Sequence, residues 1–95
     1  MKEGKSPMTR SDRIEQTLRQ VFAPAALAVL DESAMHAGHA GAAAGGETHY
    51  QVTMVAAAFV GQNRVARSRA VHQALAGEFA SGLHALALKL RAPGE

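Results

Sequence analysis

Cysteine is absent from this chain of 95 residues. Without it the protein has no disulfide, no thiol nucleophile and no thiolate metal ligand. Histidine and carboxylate side chains are then the groups that remain to hold a metal ion, and the chain contains five histidines. Any metal site in this chain would therefore rest on imidazole or carboxylate.

Long apolar runs are also absent. No stretch approaches the ~18 apolar residues of a membrane-spanning helix, and no apolar run follows the charged residues at the start of the chain. We therefore expect a cytoplasmic protein that does not enter a membrane.

Aromatic residues are few, with three Phe, one Tyr and no Trp, although 47% of the chain is hydrophobic. A chain of this length forms one domain with one modest core, which Leu, Val, Ile and Met must build here. The sequence has no phosphate-binding loop, no plausible Ser-His-acid set and no core large enough to bury a substrate cleft. We therefore expect a binding module, monomeric or weakly dimeric, and not an enzyme.

The first part of the chain predicts an arm and a helix. Residues 1–8 mix Lys, Gly, Ser and Pro without periodicity, which predicts a disordered arm ahead of a domain at 9–92. The domain begins near Thr9, where Ser11, Asp12 and Glu15 supply capping groups for a helix that Pro24 ends. The apolar positions with helical spacing are Ile14, Leu18, Val21 and Phe22.

Two strands and a long loop are predicted next. The stretch 25–30 is short and apolar, and the stretch 48–57 alternates with Tyr50, Val52 and Met54 on one face. We expect these two strands to pair antiparallel. Between them, residues 34–46 hold four glycines and two histidines but few large apolar groups, which predicts a loop.

The rest of the chain predicts helices followed by a last strand. After a turn at 59–63, the apolar pattern indicates one broken helix or two short ones, interrupted by Gly77 and stopped near Gly82. Leu86, Leu88 and Leu90 then alternate with small or charged residues, so that His84 begins the buried face of a strand. The order αββααβ predicts an α+β fold with helices on one face of a three-stranded sheet.

Short motifs in a fixed order add a family resemblance. They extend over roughly residues 12–90 and are Arg13-Ile14-Glu15, Asp31-Glu32-Ser33, Glu47-Thr48-His49-Tyr50, Phe59-Val60-Gly61, Arg67-Ser68-Arg69 and Leu83-His84-Ala85-Leu86-Ala87. In this order and spacing, the chain resembles the BolA family.

The resemblance implies a fold similar to the class II KH module. It also implies a role as a partner of monothiol glutaredoxins in iron-sulfur cluster handling and iron regulation, or alternatively as a DNA-binding transcriptional regulator. The chain departs from the family at Ser68, where relatives often have His, at Tyr50, where they often have Phe, and in its longer loop at 34–46. The missing histidine weakens any role for that side chain, and the longer loop leaves the alignment of its histidines open.

The resemblance further implies ligands for a 2Fe-2S cluster that is shared with a monothiol glutaredoxin and not held stably by this chain alone. The glutaredoxin and glutathione supply thiolates, while this chain supplies imidazole, as in Rieske centres. One ligand is placed at His84 and another in the loop, at His36 or His39. Counting forward from Asp31 favours His36, counting back from His49 favours His39, and a flexible loop can present both.

Each histidine also has a structural explanation. His84 could be half-buried above Leu86 and donate to a backbone carbonyl, and the loop histidines could be solvated with adventitious metal affinity. We expect His49 to make a structural contact at the sheet surface and His72 to face solvent.

Positive charge is modest, because ten Lys and Arg against eight Asp and Glu give a net charge of +2. Arg64, Arg67 and Arg69 follow a turn and open a helix, where cations and backbone N–H groups together can hold phosphate. The Gly-x-x-Gly loop with which KH modules clamp nucleic acid is missing, since only Gly61 stands there. DNA binding through these arginines is a hypothesis carried by the resemblance, and a solvated charged face is the alternative.

Overall fold

The computed structural model describes residues 8–33 and 48–95. The elements are α1 (Arg10–Phe22), β1 (Ala26–Asp31), β2 (His49–Val55), α2 (Arg64–Ala74), α3 (Ala76–Ala80) and β3 (Ala85–Arg91), with a 3-10 turn at Ala57–Phe59. This order confirms the predicted α+β arrangement αββααβ. The predicted arm, apart from Met8, and the predicted loop at 34–46 lie outside the described residues.

Helix α1 begins at a reciprocal cap. The Thr9 hydroxyl accepts a hydrogen bond from the Asp12 N–H, and the Asp12 carboxylate accepts one from the Thr9 N–H. Of the three predicted capping residues, Asp12 is the one that forms this cap, together with Thr9. The helix ends at Phe22, before Pro24. The prediction for Val21 was wrong, because this side chain is 57% exposed while the other three predicted positions are buried.

The sheet is mixed and has the strand order β1-β2-β3 in the described part of the chain. Strands β1 and β2 pair antiparallel as predicted, with Val29 opposite Val52. Strands β2 and β3 pair parallel, with His49 opposite Ala85 and Val55 opposite Arg91. The parallel pair is possible because α2 and α3 carry the chain back to the end where β2 began.

One hydrophobic core joins the helices to a single face of the sheet. Its largest fully buried side chains come from both layers: Tyr50, Phe59, Ile14, Leu18, Met54, Leu75, Val52 and Val71. The face of β2 predicted to be buried is therefore confirmed. Among the residues that the structure describes, no helix is long and apolar enough to cross a membrane.

Candidate functional site

One end of the sheet carries His84, one of the residues of the predicted metal site. Strand β1 ends there at Asp31, and the parallel strands β2 and β3 both begin there. Consequently Ser33, Thr48 and His84, which are far apart in the sequence, come together. The two residues that flank segment 34–47, Ser33 and Thr48, lie at the same end of the sheet as His84.

The Ser33 hydroxyl holds this end of the sheet together. It accepts hydrogen bonds from the N–H groups of Thr48 (2.8 Å) and His49 (3.1 Å), while the Ser33 N–H donates to the Asp31 carboxylate. The Thr48 carbonyl then accepts the His84 N–H at 2.8 Å. Because Ser33 and Thr48 are both buried, these bonds fix the entry and exit of segment 34–47 beside His84.

His84 differs from its predicted placement. The strand begins at Ala85, His84 is exposed, and the buried residue at this position is Leu83. The expectation that the buried face of β3 begins with a histidine was therefore wrong. The His84 imidazole lies beside the His49 ring, at a centroid distance of 6.2 Å.

His49 lies beside His84, a contact that the local sequence pattern did not predict. Its ring is half-buried, and its Nδ1 lies 2.8 Å from the Thr48 hydroxyl. The two rings meet because parallel pairing puts His49 opposite Ala85, next to His84. A sequence pattern could reveal this only after the register of β2 and β3 is known.

The described residues do not form a complete metal site by themselves. Across 8–33 and 48–95, no group of three or more His, Asp or Glu side chains is placed to hold a metal ion. His36 and His39 lie outside this part of the chain, so their predicted role stays a prediction. A metal centre at His84 requires ligands from that segment, from a partner or from both.

A buried ion-pair cluster anchors the segment that leads to His84. The Arg10 guanidinium donates to the Glu78 carboxylate (2.7 Å), to the Glu78 carbonyl and to the hydroxyl and carbonyl of Ser81. Arg13 donates to the same carboxylate from Nε and Nη2. The Leu83 N–H in turn donates to the Glu78 carbonyl at 2.9 Å, so α1 holds the residue before His84 in place.

The arginines of this cluster affect the ionisation of Glu78 and limit which residue can occupy position 82. Hydrogen bonds from Arg13, with the positive charges of Arg13 and Arg10, lower the pKa of the Glu78 carboxyl below its usual range. Gly82 has φ +127°, and a Cβ there would lie 3.2 Å from the Arg10 Nη2. Glycine is therefore the residue that this turn accepts.

The three arginines proposed for nucleic acid do not form one surface. Arg64 and Arg69 are exposed, but they are five residues apart on α2. Their side chains therefore leave the helix axis in directions that differ by about 140°. Arg67 is half-buried and bound by groups of the protein itself. Its two terminal nitrogens lie 2.6 Å from the two Glu95 carboxylate oxygens, and its Nε donates to the Gln62 carbonyl. Arg64 and Arg69 are thus the two that face solvent.

The ion pair of Arg67 and Glu95 shifts the pKa of both groups. The hydrogen bond from Arg67 is the main cause that lowers the pKa of Glu95 to about 2, and the Ala92 N–H adds to it. The same hydrogen bond raises the pKa of Arg67. The Arg67 guanidinium also lies 5.8 Å from the centre of the Phe59 ring. These contacts give Arg67 a role in holding residue 95 against α2.

His72 is exposed, as predicted, on the face of α2 that meets α3. Its ring stacks on Phe79 at a centroid distance of 5.2 Å, and its Nδ1 lies 2.9 Å from the Ser68 carbonyl. Its ring contact is with Phe79 of α3, whereas the His84 ring lies beside His49, which makes His72 a useful control histidine.

A comparison with known proteins decides the family. A sequence profile described as BolA-like protein matches residues 18–95. The chain belongs to the BolA family. Its BolA relatives include a DNA-binding transcriptional regulator BolA from Vibrio cholerae, which is 44% identical over 81% of this chain and 69% of the relative.

Other similar proteins span the chain almost completely. A protein of a Sinorhizobium species, named for its position in the cobS 5' region, is 45% identical over 93% of this chain and 96% of the relative. The solved BolA domain of SufE1 from Arabidopsis thaliana is 38% identical, with a TM-score of 0.82 and coverage of 93% of this chain and 96% of that domain. By contrast, the chain covers 24% of SufE-like protein 1 from the same plant.

Proposed function

We propose that this BolA protein is a partner of a monothiol glutaredoxin and shares a bridging 2Fe-2S cluster with it. In this proposal His84 is one ligand and His36 or His39 is the other, and the chain performs no reaction of its own. The observation that carries the proposal is the exposed imidazole of His84 at the sheet end where segment 34–47 enters and leaves.

The donor set of the described residues suits such a shared centre. An exposed imidazole is a good ligand for iron, and the described residues include no complete set of metal ligands. A cluster held here would therefore need thiolates from a partner, because this chain has no cysteine. When bound, the cluster would supply electron transfer or be passed on, and His84 would hold one of its irons.

Chain connectivity allows a ligand from segment 34–47. His36 follows Ser33 by three residues, so its Cα lies within about 11 Å of the Ser33 Cα whatever the conformation of the segment. His39 is within about 22 Å by the same reasoning. Both distances are compatible with contact near His84, because the Ser33 hydroxyl binds Thr48, whose carbonyl binds the His84 N–H.

Anaerobic copurification with a monothiol glutaredoxin tests the proposal and separates the two loop histidines. We expect visible circular dichroism of a 2Fe-2S complex with the wild-type chain. His36→Ala and His39→Ala should differ, and the variant that loses the signal identifies the loop ligand. If both single variants keep the wild-type spectrum and the double variant does as well, no loop histidine binds the cluster.

The second candidate function is DNA-binding regulation, which the name of the Vibrio relative favours. Arg64 and Arg69 are the exposed cations that would contact phosphate, whereas Arg67 is engaged by Glu95. Binding to duplex DNA should weaken as salt rises, and Arg64→Ala should weaken it further. Arg19→Ala, on α1, is the control, and an equal loss in both variants would contradict a specific role for Arg64.

A further inference from the structure

A groove of about 790 Å³ runs along the outer edge of the sheet, between β3 and α2. Strand β3 is an edge strand, since no other strand lies beyond it in the described part of the chain. The groove extends on both sides of this edge, because its walls include Leu86 and Leu88 from the face that packs on the core and Lys89 and Arg91 from the opposite face. Its lining follows β3 from Leu86 to Arg91 and does not include His84 or His49.

The backbone of β3 presents hydrogen-bonding groups to this groove. The Ala85 N–H donates to the Thr48 carbonyl and the Arg91 carbonyl accepts the Ala56 N–H, so these residues face β2. Alternate residues of a strand direct their backbone groups to the other side, which assigns the N–H and C=O of Leu86 and Leu88 to the groove. The Leu90 carbonyl confirms this pattern, because the Arg67 Nη1 reaches it from the groove side at 3.3 Å.

The charge of the groove is positive. Arg64, Lys89 and Arg91 line it and are exposed. Glu95 is the acidic residue of the lining, and its carboxylate is bound by Arg67 at 2.6 Å. An occupant with acidic side chains would therefore meet cations that flank an open strand edge.

We propose that this groove docks an extended acidic peptide segment, which adds to β3 as a fourth strand. Such a segment provides backbone N–H and C=O groups at the spacing that Leu86 and Leu88 require, and its acidic side chains match the three cations. A second copy of this chain fits less well, because pairing β3 with β3 would place the Lys89 and Arg91 cations of both copies along one seam with no acidic side chain of β3 to balance them. A nucleic acid strand lacks the regular donors that the Leu86 and Leu88 carbonyls need.

The test uses a short fluorescent peptide of alternating glutamate and valine, titrated into the full chain at low salt. Saturable binding should weaken about tenfold when Lys89→Glu and Arg91→Glu are combined. Arg69→Glu is the matched control, since Arg69 is on α2 outside the groove lining, and it should bind as the wild type does. A peptide N-methylated at every residue should not bind, because both of its edges have lost their N–H donors; this tests backbone pairing without altering the protein.

Amide hydrogen exchange locates the peptide. The Leu86 and Leu88 N–H groups should exchange more slowly when peptide is present, because they gain partners. Three results would overturn the proposal: no slowing at these amides, slowing with protein concentration alone, which indicates a second copy, or tighter binding of a single-stranded oligonucleotide at the same amides. Equal weakening by Arg69→Glu would also overturn it, because the effect would then be one of net charge.

Discussion

Glu78→Gln tests whether the ion-pair cluster under the His84 segment stabilises the fold. The carboxylate accepts from Arg10 Nη1 at 2.7 Å and from Arg13 at 2.9 and 3.1 Å. The Arg10 and Glu78 side chains are 8% and 15% exposed, whereas Arg13 is 40% exposed. Glutamine keeps the shape of glutamate. The change therefore removes the negative charge and one of the two acceptor oxygens without leaving a cavity.

The expected loss follows from these contacts. Replacing the anionic acceptor of the largely buried Arg10 bond by a neutral amide oxygen costs about 1–1.5 kcal/mol. The more exposed Arg13 pair adds about 0.5–1 kcal/mol, because solvent screens it. We therefore expect the free energy of unfolding to fall by about 2 kcal/mol, which lowers the Tm of a domain of this size by about 8–16 °C.

Urea and thermal unfolding measure this loss, with Glu15→Gln as the control. Glu15 forms an exposed pair with Arg19 on α1, so its loss should cost about 0.5 kcal/mol or less. The folded state lowers the pKa of Glu78, so the stabilisation is complete above the ordinary value of 4.5 and disappears as pH falls through the folded pKa. Equal losses in the two variants, or a difference that grows in acid, would refute the reasoning.

Three further results are expected. Ser33→Ala leaves the buried Thr48 N–H without its acceptor and should lower the free energy of unfolding in urea by about 1–3 kcal/mol; an unchanged midpoint would contradict this. Arg67→Ala should return the Glu95 pKa from about 2 toward 4.5 in a carbon-13 NMR titration, and a value that stays low would show that Arg67 is not the cause. Phe59→Ala removes a fully buried ring and should cost about 3–5 kcal/mol in the same urea assay, far more than a surface substitution.

Local patterns predicted the elements well where one periodicity decides the structure. The alternation of Tyr50, Val52 and Met54 marked the buried face of β2, and the helical spacing of Ile14 and Leu18 marked the buried stripe of α1. These features depend on residues close in sequence, so they are visible without the fold. The order of these elements, αββααβ, then predicted helices on one face of a three-stranded sheet.

Contacts between distant residues could not be predicted from the same patterns. Arg67 was predicted to contact phosphate because it lies near the start of a helix. Only the fold shows that it binds Glu95, 28 residues away. The placement of His84 was wrong because alternation does not say where a strand begins. The Thr48 carbonyl accepts from both His84 and Ala85, and Leu83 fills the buried position instead.

The most direct test of the central claim is pulsed electron paramagnetic resonance of the reduced 2Fe-2S complex formed with a monothiol glutaredoxin. We expect hyperfine coupling to a histidine nitrogen that changes on ¹⁵N-histidine labelling of this chain. The coupling from this chain should be lost or altered in His84→Ala and kept in His72→Ala. A spectrum of His84→Ala that matches the wild type would contradict the claim that His84 binds the cluster.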